Sequence, residues 1–267
     1  MPRLISLLSI FILLCTDTLC SQGKCVLYQS IEIEGRLISG DQLGNIYVVV
    51  ENNIYKYDRN GSLINQYSNN RYGRITSLDA TDPYKIVVFY EDFRTVIILD
   101  NQLSENGSPI DLQFSDFAQP VMICRAYNTG IWLFDQLMYG IFRVTLSLRT
   151  LNRSGNLTQT LGYKIEPNFM KEYNNTLYLN NPSTGILVFD QYGTYVKNIS
   201  ILELEAFQVT EKGIFFLENN KIKKYEFKSL ETNEYPLPDT NITGLAVDKN
   251  RLFVLTGTSV KIYDYKE

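Results

Sequence analysis

The oxygen-bearing side chains best placed to do chemistry recur at one point of a repeated pattern. Asp41, Asp79, Glu172, Thr210 and Asp248 each precede a short apolar run. Carboxylates of this kind suit a hard cation, or serve as acid–base pairs in glycoside hydrolysis. Their spacing favours neither use. Equivalent positions in successive repeats end up spread around a ring, whereas a cation needs several oxygens converging at about 2.5 Å. Turn and hairpin roles are expected instead. The separation of a glycosidase-type pair is a spatial matter that the sequence leaves open.

Other chemistries are closed by residue type. The chain has no histidine, which removes Ser/His/Asp triads, Cys/His pairs and histidine zinc sites. Of four cysteines, Cys15 and Cys20 lie in the N-terminal leader. Cys25 and Cys124 remain, too few for a structural zinc site; they form either one disulfide or two unpaired core residues. There is no Walker-type phosphate loop and no nucleophile elbow. The expectation is a non-enzymatic protein with no catalytic residue, cofactor or resident metal.

Charge and composition narrow the partners. A net charge of −4 and a pI near 5.1 give no clustered attraction for phosphate backbones, so nucleic acid is excluded as a partner class. Nineteen tyrosines and fourteen phenylalanines, with many Ile and Val, favour strands. At the N-terminus, Arg3 precedes an apolar run from Leu4 to Leu14, and polar residues follow from Thr16. That run is about half the roughly 20 residues a membrane-crossing helix needs. Residues 1–23 therefore read as a secretory signal peptide and 24–267 as one exported domain without a direct membrane span. Seven Asn-X-Ser/Thr sequons begin at Asn60, Asn106, Asn152, Asn156, Asn174, Asn198 and Asn241; in a bacterial chain they follow from asparagine-rich turns.

The elements that position these residues emerge from internal repetition. Apolar second strands begin at Ile46, Ile86, Ile131, Leu177, Ile214 and Leu252, with spacings of 40, 45, 46, 37 and 38 residues. A third strand repeats at Ile54, Val96, Ile141, Ile186, Ile222 and Val260. Four of these third strands end in Asp58, Asp100, Asp190 and Asp264, and an Asp there bonds its own turn. With an inner strand before each pair and a fourth strand after it, the pattern predicts an all-β, six-bladed β-propeller of four-stranded antiparallel blades. The sixth copy lacks a fourth strand, and Val26 to Ile33 has no other place in the count. This N-terminal strand is expected to close the ring by covering the open edge of blade six.

Gly40 to Ile64, GDQLGNIYVVVENNIYKYDRNGSLI, resembles the NHL-type propeller repeat. The likeness is good in blades one and four, moderate in six and loose in the others. It departs from the pattern at Val50 and Glu51, where an Asp usually stands. In general character the chain also resembles accessory propellers of Bacteroidota cell envelopes, including those serving type nine protein export. That resemblance implies a periplasmic or outer-membrane-associated protein whose partner is an outer-membrane channel or export component, which the disc would cap or plug. Lactonase-like propellers imply a competing reading, with a hard cation in the central tunnel held by residues such as Asp41, Asp79, Glu172 and Asp248. Loops joining second to third strands share a face with the blade connections. Several are apolar, so Phe93, Phe117, Leu137, Met138 and Tyr139 are the candidate partner-binding residues. Trp132, inside a strand, is expected in the core.

Overall fold

The structure, a computed structural model, describes residues 25–128 and 130–265. The leader assigned to residues 1–23 lies outside them.

The second strands are the most apolar because neighbouring blades cover both of their faces. Ile86–Tyr90 and Ile131–Asp135 are buried at every position. All six second strands and all six third strands begin within one residue of the positions expected from the repeat. Among the described residues these strands build six four-stranded antiparallel sheets and one short helix, Leu157–Leu161. The sheets are the blades of a β-propeller. Five run through four consecutive strands. Blade 6 takes Ile242–Asp248, Arg251–Thr256 and Ser259–Tyr265, then adds the N-terminal strand Cys25–Glu32 as its outer member. The register runs from Cys25 opposite Tyr265 to Glu32 opposite Ser259. An irregularity between Leu27 and Gln29 lets the Arg251 guanidinium sit 4.1 Å from the Tyr28 ring centre.

The hairpins between third and fourth strands explain the repeated aspartates. Asp58 Oδ1 accepts from the backbone N–H groups of Asn60 and Ser62 at 2.8 Å each. Asp100 does the same for Gln102 and Ser104, and Asp190 for Tyr192 and Thr194. Asp264 departs from the series by pairing with Arg251 Nε at 2.9 Å. Packing between blades supplies the core, as apolar clusters that span neighbouring sheets. Tyr47 and Val49 of blade 1 meet Ile86 and Val88 of blade 2, and Trp132 of blade 3 meets Leu177 and Leu179 of blade 4. Trp132 is 1% exposed, as expected for core. Cys25 and Cys124 lie in blades 6 and 3 and are unbonded, so no disulfide joins them. Burial pushes the Cys124 thiol well above its ordinary pKa, so it stays protonated and inert.

Candidate functional site

The inner strands end around one mouth of the central tunnel. Each repeat places a polar residue there, but the residues do different work. Asp41 is a turn former: Oδ1 accepts from Leu43 N and Asn45 N, and Oδ2 from Asn45 Nδ2 and Tyr47 OH, all at 2.8–2.9 Å. Asp79 bonds its own turn through Thr81 N and Thr81 Oγ1. It also accepts from Arg125 N of blade 3 and, at 2.7 Å, from Lys171 Nζ of blade 4. Glu172 accepts from Tyr127 N and Trp132 Nε1, again in blade 3. Asp248 faces Arg59 of blade 1 at 3.6 Å. The expectation of turn roles thus holds for Asp41 and, in part, for Asp79. Glu172 and Asp248 are ties between blades, as is the far side of Asp79.

Electrostatics follow from those partners. Burial pushes the Asp79 carboxyl up, but the Lys171 charge and the bonds from Lys171, Thr81 and Arg125 N outweigh it and hold the pKa at about 2. Burial raises Glu172, only partly offset by Tyr127 N and the Arg125 charge. Lys85, which donates to Ala126 O and Gly130 O, is lowered to about 8 by burial and by the nearby Arg125. Among the described residues no group of three or more His, Cys, Asp or Glu is placed to hold a metal ion. Asp41 and Asp79 already use their lone pairs on protein donors. A hard cation would have to displace those bonds, and the tunnel carboxylates do not fit the lactonase-like arrangement.

The opposite face is built differently. At the junction of blades 2 and 3, the connection running 112–119 is stitched to both sides. Leu112 N donates to Arg94 O, Gln113 Nε2 to Phe93 O, and Arg94 Nη1 to Ala118 O. On the blade 3 side Gln136 N donates to Gln119 O. Fully buried Asp135 accepts from Gln119 N through Oδ2 and from Leu137 N and Met138 N through Oδ1. On these stitched segments Phe93, Leu137 and Met138 are exposed, and Phe114, in the connection, is 90% exposed.

One candidate contact must be corrected, and a second is only partly exposed. Phe117 is 6% exposed and packs edge-on against Phe142 at 5.2 Å between ring centres, so it belongs to the interior. Tyr139 sits at a left-handed turn position, φ 51°, and is half-buried against the Trp132 cluster. Phe114 takes the place assigned to Phe117. Both lie in one connection with no repeat to fix which side chain turns inward; the signal available was the polar context of Phe114, between Gln113 and Ser115.

Solved structures with this architecture are numerous. The chain superposes on a streptogramin B lyase with a TM-score of 0.64 at 12% identity, covering 92% of this chain and 99% of that one. Against virginiamycin B lyase from Staphylococcus aureus the values are 0.61 and 13%, covering 92% and 100%. A chain of the mitotic checkpoint complex matches over the full length of both at 0.60 and 8%. No protein-family model and no curated protein sequence matches. At these identities the likeness establishes the propeller fold alone. Propellers of enzymes and of protein assemblies resemble the chain to a similar degree, and fold does not carry function.

Proposed function

We propose that this chain is an exported, non-enzymatic propeller of the bacterial cell envelope that binds another protein through the face at blades 2 and 3. The observation carrying the reading is the set Phe93, Phe114, Leu137 and Met138, held outward by a hydrogen-bonded scaffold that ends on buried Asp135. Scattered exposed apolar residues are ordinary, but several gathered on rigid loops mark an interaction surface. Exposed Glu91, Asp92, Asp111 and Asp116 lie on the same segments. Their charge suits a partner that presents apolar anchors flanked by Lys or Arg. Aromatic anchors ringed by charge are how interface cores and rims are arranged.

Export rests on the leader at residues 1–23, and the NHL-type character on the first and fourth repeats. Among the described residues no helix is long and apolar enough to cross a membrane. Association with an outer-membrane protein-export channel, capped by the disc, is the finer form of this proposal. Affinity capture of the tagged chain from its native envelope, beside the Phe93→Asp/Leu137→Asp variant, tests it. A stoichiometric channel or export component recovered by the first and lost by the second is expected. Equal recovery by both would remove this face from the interaction.

A second reading, a small-molecule site in the tunnel mouth, is favoured by a cavity of about 430 Å³ at that end.

A further inference from the structure

The tripeptide Asn-Gly-Ser occurs twice, at Asn60 to Ser62 and at Asn106 to Ser108. In Asn-Gly the glycine N–H can attack the preceding side-chain amide with no Cβ in the way. The fold must meet two conditions for that attack. The glycine N–H must be free of a hydrogen bond, and the asparagine amide must be free to swing onto it. The covalent chemistry of the two copies is identical, so any difference in their reactivity comes from structure.

The first copy is tied down. It forms the hairpin between the third and fourth strands of blade 1, where Gly61 N donates to Asp58 O at 3.0 Å and Asn60 N to Asp58 Oδ1 at 2.8 Å. Asn60 Oδ1 accepts from Arg251 Nη1 of blade 6 at 3.0 Å, and the same guanidinium nitrogen donates to Arg59 O. Gly61 is also packed, since a Cβ there would lie 3.1 Å from Gln29 Nε2 and from Ile262 Cδ1. Attack by Gly61 N would have to open the hairpin and release Arg251.

The second copy is held only behind its reacting atoms. Asn106 N donates to Ile98 O at 2.8 Å, next to the bridge between Leu99 and Glu105. Beyond it, residues 107–109 are exposed until pairing resumes at Ile110. Among the described residues neither the Asn106 side chain nor the Gly107 N–H has a hydrogen-bond partner. A Cβ on Gly107 would meet nothing within 4 Å, so the segment has room to rearrange.

We propose that Asn106 is a site of spontaneous deamidation in the folded protein and that the fold protects Asn60. Gly107 N, losing its proton to solvent hydroxide, bonds to Asn106 Cγ; the Cγ–Nδ2 bond breaks and ammonia leaves, giving a cyclic imide. Water then opens the imide. Attack at Cγ gives aspartate, and attack at the main-chain carbonyl gives isoaspartate. Water is consumed, ammonia is released and nothing is oxidised. The product carries a new carboxylate beside Glu105 on the outer rim of blade 2.

The test is incubation of the purified folded chain at neutral pH in heavy-oxygen water, followed by digestion in acid and peptide mapping by mass spectrometry. A parallel sample is unfolded in guanidinium chloride. In the folded chain Asn106 converts at least about tenfold faster than Asn60, whose reaction waits on local opening of a bonded turn, and the converted peptide gains one solvent oxygen. In denaturant the two copies convert at similar rates. Asn106→Gln, whose longer side chain closes the ring far more slowly, removes the early acidic species seen on isoelectric focusing of the folded chain, and Asn60→Gln leaves it. Equal rates in the folded chain, or an intact Asn106 over a period in which the unfolded chain converts, would overturn the proposal. So would the same ratio of rates in denaturant, or an early acidic species that survives Asn106→Gln.

Discussion

At the tunnel mouth the carboxylates of Asp41, Asp79 and Glu172 are buried and bonded to protein donors, whereas at the blade 2–3 face Phe93, Phe114, Leu137 and Met138 are exposed. Both ends come from one repeat. At the mouth, Asp79 joins blade 2 to Arg125 N of blade 3 and Lys171 of blade 4. Opposite, Asp135 is buried as deeply, but its bonds go to backbone N–H groups of adjoining loops. One end uses buried carboxylates to tie blades together; the other uses one to hold the adjoining loops. The difference separates residues kept for stability from residues available to a partner.

The largest effect expected from breaking the mouth is at Lys171. Lys171→Met strands the Asp79 carboxylate in the interior and costs about 3–5 kcal/mol of unfolding free energy. Lys171→Met with Asp79→Leu recovers only part of it, because the apolar pair removes the stranded charge but leaves Arg125 N and Thr81 N without their acceptor. Urea denaturation of both variants checks this. If the double variant is as unstable as the single one, the pair is not isolated from its surroundings and other groups depend on its charge.

Two phenylalanines three residues apart give a direct contrast on the other face. Phe117→Ala removes a buried ring packed on Phe142 and costs about 3 kcal/mol, whereas Phe114→Ala, on a ring 90% exposed, stays within about 0.5 kcal/mol. Equal costs would mean that Phe114 is covered in solution.

Acid probes the mouth more gently. The folded Asp79 pKa of about 2 lies below its ordinary 3.8. The carboxylate therefore contributes stability that is present above pH 4 and lost as the pH falls through 2. The shift corresponds to about 2 kcal/mol. Denaturation at pH 5 and pH 2 should show that loss in the parent chain beyond whatever the Lys171→Met/Asp79→Leu variant loses. The same loss in both would assign the acid sensitivity to other carboxylates.

Much of this architecture was legible because its signals are local. Strands covered by neighbours on both faces must be continuously apolar, and hairpins need an Asp that bonds its own turn, so Ile46, Ile86 and Asp58 announce themselves. Ring closure followed from an unmatched strand at one end and a missing strand at the other. The contacts between blades were not legible in the same way. Asp79 and Lys171 are 92 residues apart, and no periodicity relates a carboxylate in one inner strand to an ammonium in another. A hint was present in Phe169–Tyr173, where Lys171 and Glu172 interrupt an otherwise apolar run: charges on a buried strand require partners. Phe117 and Phe114 share a non-repeating connection, where only the polar neighbours of Phe114, Gln113 and Ser115, hint at which ring turns outward.

The smallest effect on stability belongs to the pair of substitutions with the largest expected effect on binding. Phe93 and Leu137 are 49% and 64% exposed, so Phe93→Asp with Leu137→Asp removes little buried area and changes stability by about 0.5 kcal/mol or less. Two further negative charges join Glu91, Asp92, Asp111 and Asp116, so the apolar anchors vanish while the acidic rim grows stronger. A partner held mainly by apolar anchors is lost even at low salt. A partner held mainly by basic residues is retained at low salt and released as screening increases. Capture at about 50 and 300 mM salt distinguishes the two, because the Debye length falls below about 10 Å within that range. Loss at both salts, with an unchanged denaturation curve, locates the binding energy in the exposed side chains of blades 2 and 3 and leaves the ion pair at the tunnel mouth to its structural task.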